Sequence, residues 1–309
     1  MERKIHKVAI VGTGILGTQI AVLAACFDYE VSVFDTDEGS FTKGLQKLKT
    51  SMKSAGRKSA FTTEDVDKVA NSVTFCKELA EALRDTDLVI EAIPEDLELK
   101  RKVFERFDVL APQGAILATN SSSIPISKIE SATARPEQCL NIHFYTPSLG
   151  FNMVDIMGGT RTTPEVIETA KAWVRSIDCV PLTVKKEILG FCFNRIWRAI
   201  KREALYMWAE GFVDFRDIDR AWMIFTGMSY GPFGLMDNVG LDVVYDIEMV
   251  YYNESKDSKD HPPEALKTMV HRKELGSKTN KGFYTYPDPE YSQLDFVKGY
   301  PLRGRDKET

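Results

Sequence analysis

The sequence predicts an α/β fold class. A first domain, residues 1–187, alternates strands with helices, and a second, residues 188–309, is built of helices alone. Three observations carry this. Short apolar runs recur between helical patterns as far as Val184. Residues 7–35 spell strand, glycine turn, helix, strand and acid. Beyond Gly190 the apolar period is helical only.

The glycine turn organises the first domain. Lys7 to Val11 is an apolar run of strand type leading into Gly12-Thr13-Gly14-Ile15-Leu16-Gly17, and Ile20, Leu23 and Ala24 continue at helical spacing. Gly12 suits a tight turn. Gly14 lets a pyrophosphate approach the main chain, and Gly17 lets helix and strand pack closely. Ile15 and Leu16 open the helix, whose free N–H groups and partial positive charge suit phosphate. A second run, Val31 to Phe34, ends at Asp35, placed to accept from both hydroxyls of an adenine ribose. A 2′-phosphate there would meet the charges of Asp35 and Asp37. The expected fold is therefore of Rossmann type and the expected cofactor is NAD rather than NADP.

The 309 residues can bury two cores, and 43% hydrophobic with 28% charged residues marks a globular chain. A net charge of −5 argues against a nucleic-acid partner. No apolar run is long enough to span a membrane, and residues 1–6 leave no room for a signal peptide. Cys26, Cys139, Cys179 and Cys192 sit in apolar segments and read as buried thiols. With Cys76 they form no CxxC pair, which favours a reducing, cytoplasmic compartment. The four histidines show no metal-ligand spacing, so no metal is expected.

Further along, residues 39–70 read as a long polar helical region. Its stretch from Lys43 to Lys58 holds six basic residues (Lys43, Lys47, Lys49, Lys53, Arg57, Lys58) and no acid. It is either a solvated helix face or a site for a phosphorylated substrate handle, with Lys47 and Lys53 as candidates. Strands are expected at 72–75, 88–93, 115–119, 140–144, 152–157 and 179–184, with helices at 97–110 and 163–177, the latter opened by Thr163-Pro164. Asn120-Ser121-Ser122-Ser123 follows a strand end, the edge where open α/β sheets bind ligands. Four helices are expected in the second domain, near 193–211, 218–225, 241–252 and 263–275. A polar tail from Pro287 would be ordered only by docking.

A nicotinamide cofactor implies hydride transfer and a base for the alcohol proton. Among the histidines only His143 ends a sheet strand, which makes it the candidate base. Asp155, twelve residues on, is placed to fold beside it and fix its tautomer; otherwise it is a solvent-facing acid on an edge strand. Ser122 is either a partner for the substrate oxygen or a helix cap. Asn194 is either a carbonyl-positioning group or an interhelical hydrogen bond.

These residues resemble the L-3-hydroxyacyl-CoA dehydrogenase family. The resemblance runs from Lys7 to about Tyr286 through Gly12–Gly17, EAIPEDLELK (91–100), NSSSIPI (120–126), Arg135-Pro136 leading to His143-Phe144, GFCFNR (190–195), GPFGLMDNVGLD (231–242) and GSKTNKGFY (276–284). It implies an NAD-binding domain, a helical domain that dimerises, and an acyl-CoA substrate. His143 falls on the family's catalytic base, Ser122 on its substrate-hydroxyl partner and Asn194 on its substrate-contacting asparagine. Glu95 and Lys100 fall on cofactor-contacting positions, and Asn120 joins them at the strand end. The Lys43–Lys58 stretch lies where the family binds the phosphorylated end of coenzyme A.

The sequence departs from the pattern around the base. Phe144-Tyr145-Thr146-Pro147 replaces Phe-Phe-Asn-Pro, and Leu149-Gly150-Phe151-Asn152 replaces Pro-Val-Met-Lys. Asp155 replaces a glutamate, at roughly 1.5 Å less reach. The chain is also similar to gulonate-type dehydrogenases and lens λ-crystallins, which oxidise a 3-hydroxy acid without coenzyme A. Three readings follow: NAD-dependent oxidation of an L-3-hydroxyacyl-CoA; the same chemistry on a free 3-hydroxy acid or a cyclic or branched hydroxyacyl-CoA; and a silent, structural NAD-binding protein. The intact set Ser122, His143 and Asn194 speaks against the third.

Overall fold

The computed structural model describes residues 4–54 (backbone only at 53 and 54), 61–145, 149 and 152–299. Contacts divide the chain into two units, Met1–Phe193 and Asn194–Thr309. In the first unit the apolar runs become β1 (Lys7–Val11), β2 (Glu30–Phe34), β3 (Thr74–Phe75), β4 (Leu88–Glu91), β5 (Ile116–Thr119), β6 (Cys139–Phe144), β7 (Asn152–Gly158) and β8 (Cys179–Val184). They form one sheet in the order β3-β2-β1-β4-β5-β6-β7-β8. The first six strands are parallel, in the doubly wound order. β7 reverses direction against β6, and β8 runs parallel to β7.

Between the strands run α1 (Ile15–Cys26), α2 (Ser40–Ser54), α3 (Thr63–Ala70), α4 (Leu79–Ala82), α5 (Leu97–Leu110) and α6 (Pro164–Ser176). The strands are apolar throughout because both sheet faces are covered. Val8, Ile10, Val31, Val33 and Ile90 pack with Ile20, Leu23, Leu48, Val66 and Trp173 on one face. Ala9, Val11, Val89 and Leu117 pack with Leu79, Leu83, Phe104 and Phe107 on the other. Each fully buried side chain of this size contributes about 1.5–3 kcal/mol. The long polar helical region expected over 39–70 contains two helices, α2 and α3. The second has its own start, where Thr62 and Asp65 cap each other reciprocally. The strand expected at 72–75 is reduced to the two residues of β3. The start of α6 is as expected, with the Thr163 side chain accepting from the Val166 N–H.

The helical unit holds α7 (Phe193–Ala209), α8 (Phe215–Thr226), α9 (Pro232–Val239), α10 (Leu241–Ser255) and α11 (Glu264–His271). Its core gathers Leu205, Met223, Phe233, Met236, Leu241, Val244, Leu266, Phe283 and Tyr284. The sequence reading lacked α9, an eight-residue helix with Pro232 in its first turn. Buried acids tie this unit together. Asp237 accepts from the N–H groups of Phe283 (3.0 Å) and Tyr284 (2.9 Å). Asp219 accepts from those of Phe233 (2.8 Å) and Gly234 (2.9 Å). The tail is docked through residue 299: Arg216 pairs with Glu290, and Arg220 Nε donates to the Phe296 carbonyl at 2.6 Å. Residues 300–309 lie outside the described residues.

Cys192 is a correction to the sequence reading. It is exposed rather than buried, whereas Cys76, Cys139 and Cys179 are buried and Cys26 is half-buried. The apolar neighbours of Cys192 do not enclose it, because Phe193 itself is 40% exposed. Among the described residues no helix is long and apolar enough to cross a membrane, and no His, Cys, Asp and Glu cluster could hold a metal ion.

Candidate active site

The glycine loop follows β1, next to β4, at the point where the strand order reverses. Its glycines differ in what surrounds them. Gly12 has φ +97°, and a Cβ there would stand 2.6 Å from the Ala92 carbonyl oxygen. On Gly17 a Cβ would meet the Gly12 carbonyl oxygen. A Cβ on Gly14 would meet nothing within 4 Å among the described residues. Gly12 and Gly17 thus serve the fold, and Gly14 faces open space where a pyrophosphate would lie. Gly14 caps α1 without a side-chain hydrogen bond, and no acid occupies the first turn. The N–H groups of Ile15, Leu16 and Gly17 are therefore oriented for an anion.

Asp35 follows β2 directly and turns back to the loop. Its Oδ2 accepts from Thr13 N (2.6 Å) and Thr13 Oγ1 (3.1 Å), and Oδ1 accepts from Asp37 N (3.0 Å). A carboxylate offers about four lone-pair sites. Three are occupied, so one ribose hydroxyl fits directly and the second needs an internal donor to yield. Thr13, fully buried, was missed in the sequence because a residue between two glycines carries no pattern of its own.

A buried ionic chain runs under the ends of β4 and β5. Lys100 is 1% exposed; its Nζ lies 2.7 Å from Glu91 Oε1, 3.2 Å from the Ile93 carbonyl oxygen and 3.3 Å from Glu95 Oε2. Burial raises the Glu91 carboxyl above its usual range, against the Lys100 charge and the hydrogen bonds from Lys100, Thr119 and Ile93. At Glu95 burial again opposes the charge. There the Lys100 ammonium and the donors Ser121 and Ser123 outweigh it, and the carboxyl is held below its usual value. Lys100 thus differs from the expectation of a direct cofactor contact, since protein oxygens surround its ammonium and it props Glu95 from below.

Glu95 in turn shapes the polar cluster after β5. Its Oε1 accepts from Ser121 Oγ (2.5 Å), Ser123 N (3.0 Å) and Ser123 Oγ (2.6 Å). Both neighbours of Ser122 are clamped, while Ser122 is exposed. The cap reading of Ser122 has no counterpart, because the turn Ile126–Lys128 begins at Pro125 without a side-chain cap. Asn120 Oδ1 accepts from Phe144 N at 2.8 Å, which ties the end of β5 to the strand end that carries His143.

His143 and Asp155 are register partners across the antiparallel pair β6–β7. The Nδ1 of His143 lies 3.4 Å from Asp155 Oδ2, with His143 at 4% exposure and Asp155 at 0%. Phe191 stacks on the imidazole, with ring centroids 5.2 Å apart and planes at 19°. Tyr145 meets its edge at 4.6 Å and 68°, and the Tyr145 hydroxyl donates to the same Asp155 oxygen at 2.5 Å. That contact was not legible in the sequence, where Tyr145 stood only as a departure from the family pattern.

The remaining candidates are more scattered. On α2, Lys43 pairs with Asp37 (2.8 Å) and Lys49 with Asp67 (2.6 Å). Lys47 is exposed, with no partner among the described residues. The side chain of Lys53, and residues Arg57, Lys58, Thr146, Pro147, Gly150 and Phe151, lie outside the described residues. Asn194 stands half-exposed on the first turn of α7, where the helical unit begins.

Known proteins place this arrangement in a family. Residues 7–188 match the model of the NAD-binding domain of 3-hydroxyacyl-CoA dehydrogenase, and residues 190–286 that of its C-terminal domain. The chain is 34% identical over 283 residues to a 3-hydroxybutyryl-CoA dehydrogenase of Clostridioides difficile, covering 91% of this chain and 99% of that one. It is similar to the solved (S)-3-hydroxybutyryl-CoA dehydrogenase of Ralstonia eutropha, with 29% identity, a TM-score of 0.81 and coverage of 92% and 100%. A diketoreductase that acts on dicarbonyl compounds aligns equally well, with 30% identity, a TM-score of 0.81 and the same coverage. With both domains matched in order, the chain belongs to the 3-hydroxyacyl-CoA dehydrogenase family and is an NAD-dependent dehydrogenase.

Proposed function

We propose that the protein oxidises the 3-hydroxyl group of an L-3-hydroxyacyl-CoA to the 3-oxoacyl-CoA, reversibly, with His143 as general base. The observation that carries this is the pairing of His143 with Asp155 at the strand end that Asn120 ties to the polar cluster. With Nδ1 directed at Asp155, Nε2 is the nitrogen that receives the hydroxyl proton, and the carboxylate stabilises the imidazolium that results. Bound NAD supplies the hydride acceptor for C3. Ser122, exposed between two clamped neighbours and without a hydrogen-bond partner among the described residues, is assigned to donate to the developing carbonyl oxygen. Asn194 is assigned to the thioester carbonyl. Gly12, Gly14, Ile15, Leu16, Gly17 and Asp35 are assigned to the dinucleotide, and Glu95 and Asn120 to the edge beneath it. Lys47 is the described cation best suited to the phosphorylated end of coenzyme A, with Lys53 further along the same helix.

The helical unit is proposed to form a homodimer. Val243, Ile247 and Val250 make an exposed apolar stripe on α10, and Ile224 and Phe225 stand exposed on α8, Phe225 at 91%. A cytoplasmic setting fits five unbonded cysteines.

The test is nicotinamide absorbance with NADH and acetoacetyl-CoA, beside free acetoacetate and a cyclic oxoacyl-CoA. Rapid oxidation with acetoacetyl-CoA, together with a higher KM in Lys47→Glu for that substrate alone, is the expected result. Turnover on free acetoacetate only, indifferent to Lys47, would move the assignment to a 3-hydroxy acid. NAD binding without turnover on any of them would support the silent protein.

A further inference from the structure

We propose that Tyr145 is a positioning residue of this site: its hydroxyl holds the short carboxylate of Asp155 toward His143, so that the three side chains act as one unit. The proposal rests on the reading of His143 as the base. Asp155 is fully buried, and its Oδ2 accepts from Tyr145 Oη at 2.5 Å while His143 Nδ1 stands 3.4 Å from the same oxygen. Its Oδ1 is buried with no hydrogen-bond partner among the described residues. Among the described residues the phenol is therefore the one close donor to this carboxylate. A buried carboxylate without donors carries a large desolvation cost, so the hydrogen bond from Tyr145 fixes where Oδ2 points.

Tyr145 is itself fixed. Its carbonyl oxygen accepts from Gln19 Nε2 (3.2 Å) and Asn152 Nδ2 (2.9 Å), and its ring lies edge-on to the imidazole. Its proton is committed to Asp155, so the phenol acts on the reaction through Asp155 rather than by donating to substrate. The division of labour follows from length. A 3.4 Å separation is about 0.5 Å beyond a normal N–H···O bond, and an aspartate has no further methylene with which to close it. Fixing Oδ2 on the side of His143 keeps the carboxylate ready to tighten when the imidazole becomes charged. A glutamate at 155 would reach the imidazole without that help.

The experiment compares wild type, Tyr145→Phe and Tyr145→Phe/Asp155→Glu. Phenylalanine keeps the ring packing and removes only the hydroxyl. In Tyr145→Phe, kcat is expected to fall about tenfold, with KM for NAD and for the acyl substrate within about twofold of wild type. The double variant is expected to recover kcat to within about threefold. An unchanged kcat in Tyr145→Phe, or a loss that the double variant does not relieve, overturns the proposal. Crystal structures of wild type and Tyr145→Phe supply a readout independent of turnover. The Asp155 carboxylate is expected to rotate away from His143 when the hydroxyl is gone, and a carboxylate that stays in place overturns the proposal. A wild type inactive on every substrate would count against His143 as base, while the crystallographic comparison would still decide the role of Tyr145.

Discussion

Gly17 lies directly against Gly12: a Cβ on Gly17 would stand 1.8 Å from the Gly12 carbonyl oxygen. The backbone cannot yield there without separating α1 from β1. Gly17→Ala should therefore lower stability by more than about 2 kcal/mol, as overpacking of a tight contact does. Gly14→Ala should leave the thermal midpoint near wild type, since its Cβ meets nothing, yet weaken NAD binding about tenfold or more by occupying the phosphate approach. Thermal melts and NADH fluorescence titrations on the two variants check the contrast. Equal effects on both readouts would defeat it.

His143→Ala should reduce kcat by about 10²–10⁴-fold, the usual contribution of a positioned general base. NAD affinity should stay within about twofold of wild type, because the glycine loop and Asp35 are untouched. Stopped-flow turnover alongside cofactor titration measures both, and near-normal turnover would remove His143 from its assigned role.

Lys100→Met should destabilise the first unit by about 3–5 kcal/mol, because Glu91 then keeps a buried charge with Thr119 and the Ile93 N–H as its donors among the described residues. Adding Glu91→Gln should restore part of the loss by removing that charge. Urea unfolding of the single and double variants reads this directly. A single-variant cost below about 1 kcal/mol would show that the pair is spare.

Asp219 gives the helical unit a pH dependence of unusual sign. Burial pushes its carboxyl up from 3.8 to about 6, against hydrogen bonds from Phe233, Gly234 and Tyr284. The folded state thus holds a proton that the unfolded state releases between those values. Its favourable contribution is fullest below pH 3.8 and is lost as pH rises through about 6, a change of about 3 kcal/mol. The stability difference between wild type and Asp219→Asn should therefore shrink from pH 4.5 to pH 7 in urea titrations. A flat difference would place the Asp219 titration elsewhere.

The parts of the fold that came through in the sequence are those whose signal is local. β1 with its glycine loop, and α5 at its observed bounds Leu97–Leu110, carry their periodicity and breakers within a few residues. α9 does not, because eight residues with Pro232 and Gly234 show no apolar period. The exposure of Cys192 depends on how Phe193 packs, which no composition window reports. In the site, the glycine chemistry is written in backbone needs and can be read directly. The burial of Lys100 cannot, because its partner Glu91 sits on a different element and looks like an ordinary strand end. Tyr145 and Asp155 are ten residues apart, and only the reversal of β7 brings hydroxyl and carboxylate together.

That reversal also separates two evolutionary tasks. The ladder between β6 and β7 sets the spacing of His143 and Asp155 through paired backbones, from Leu140 opposite Gly158 to Phe144 opposite Val154. Beyond Tyr145, the register of His143 and Asp155 does not depend on the sequence of the connection between the strands. Its composition can drift as acyl groups change, while a one-residue slip in either strand would turn the acid to the opposite face of the sheet. Mutations that retarget the enzyme would collect in the connection, and mutations that silence it in the ladder. The departures at positions 146–151 fall in that connection, whereas Tyr145, the first residue past β6, is tied to the pair through Asp155.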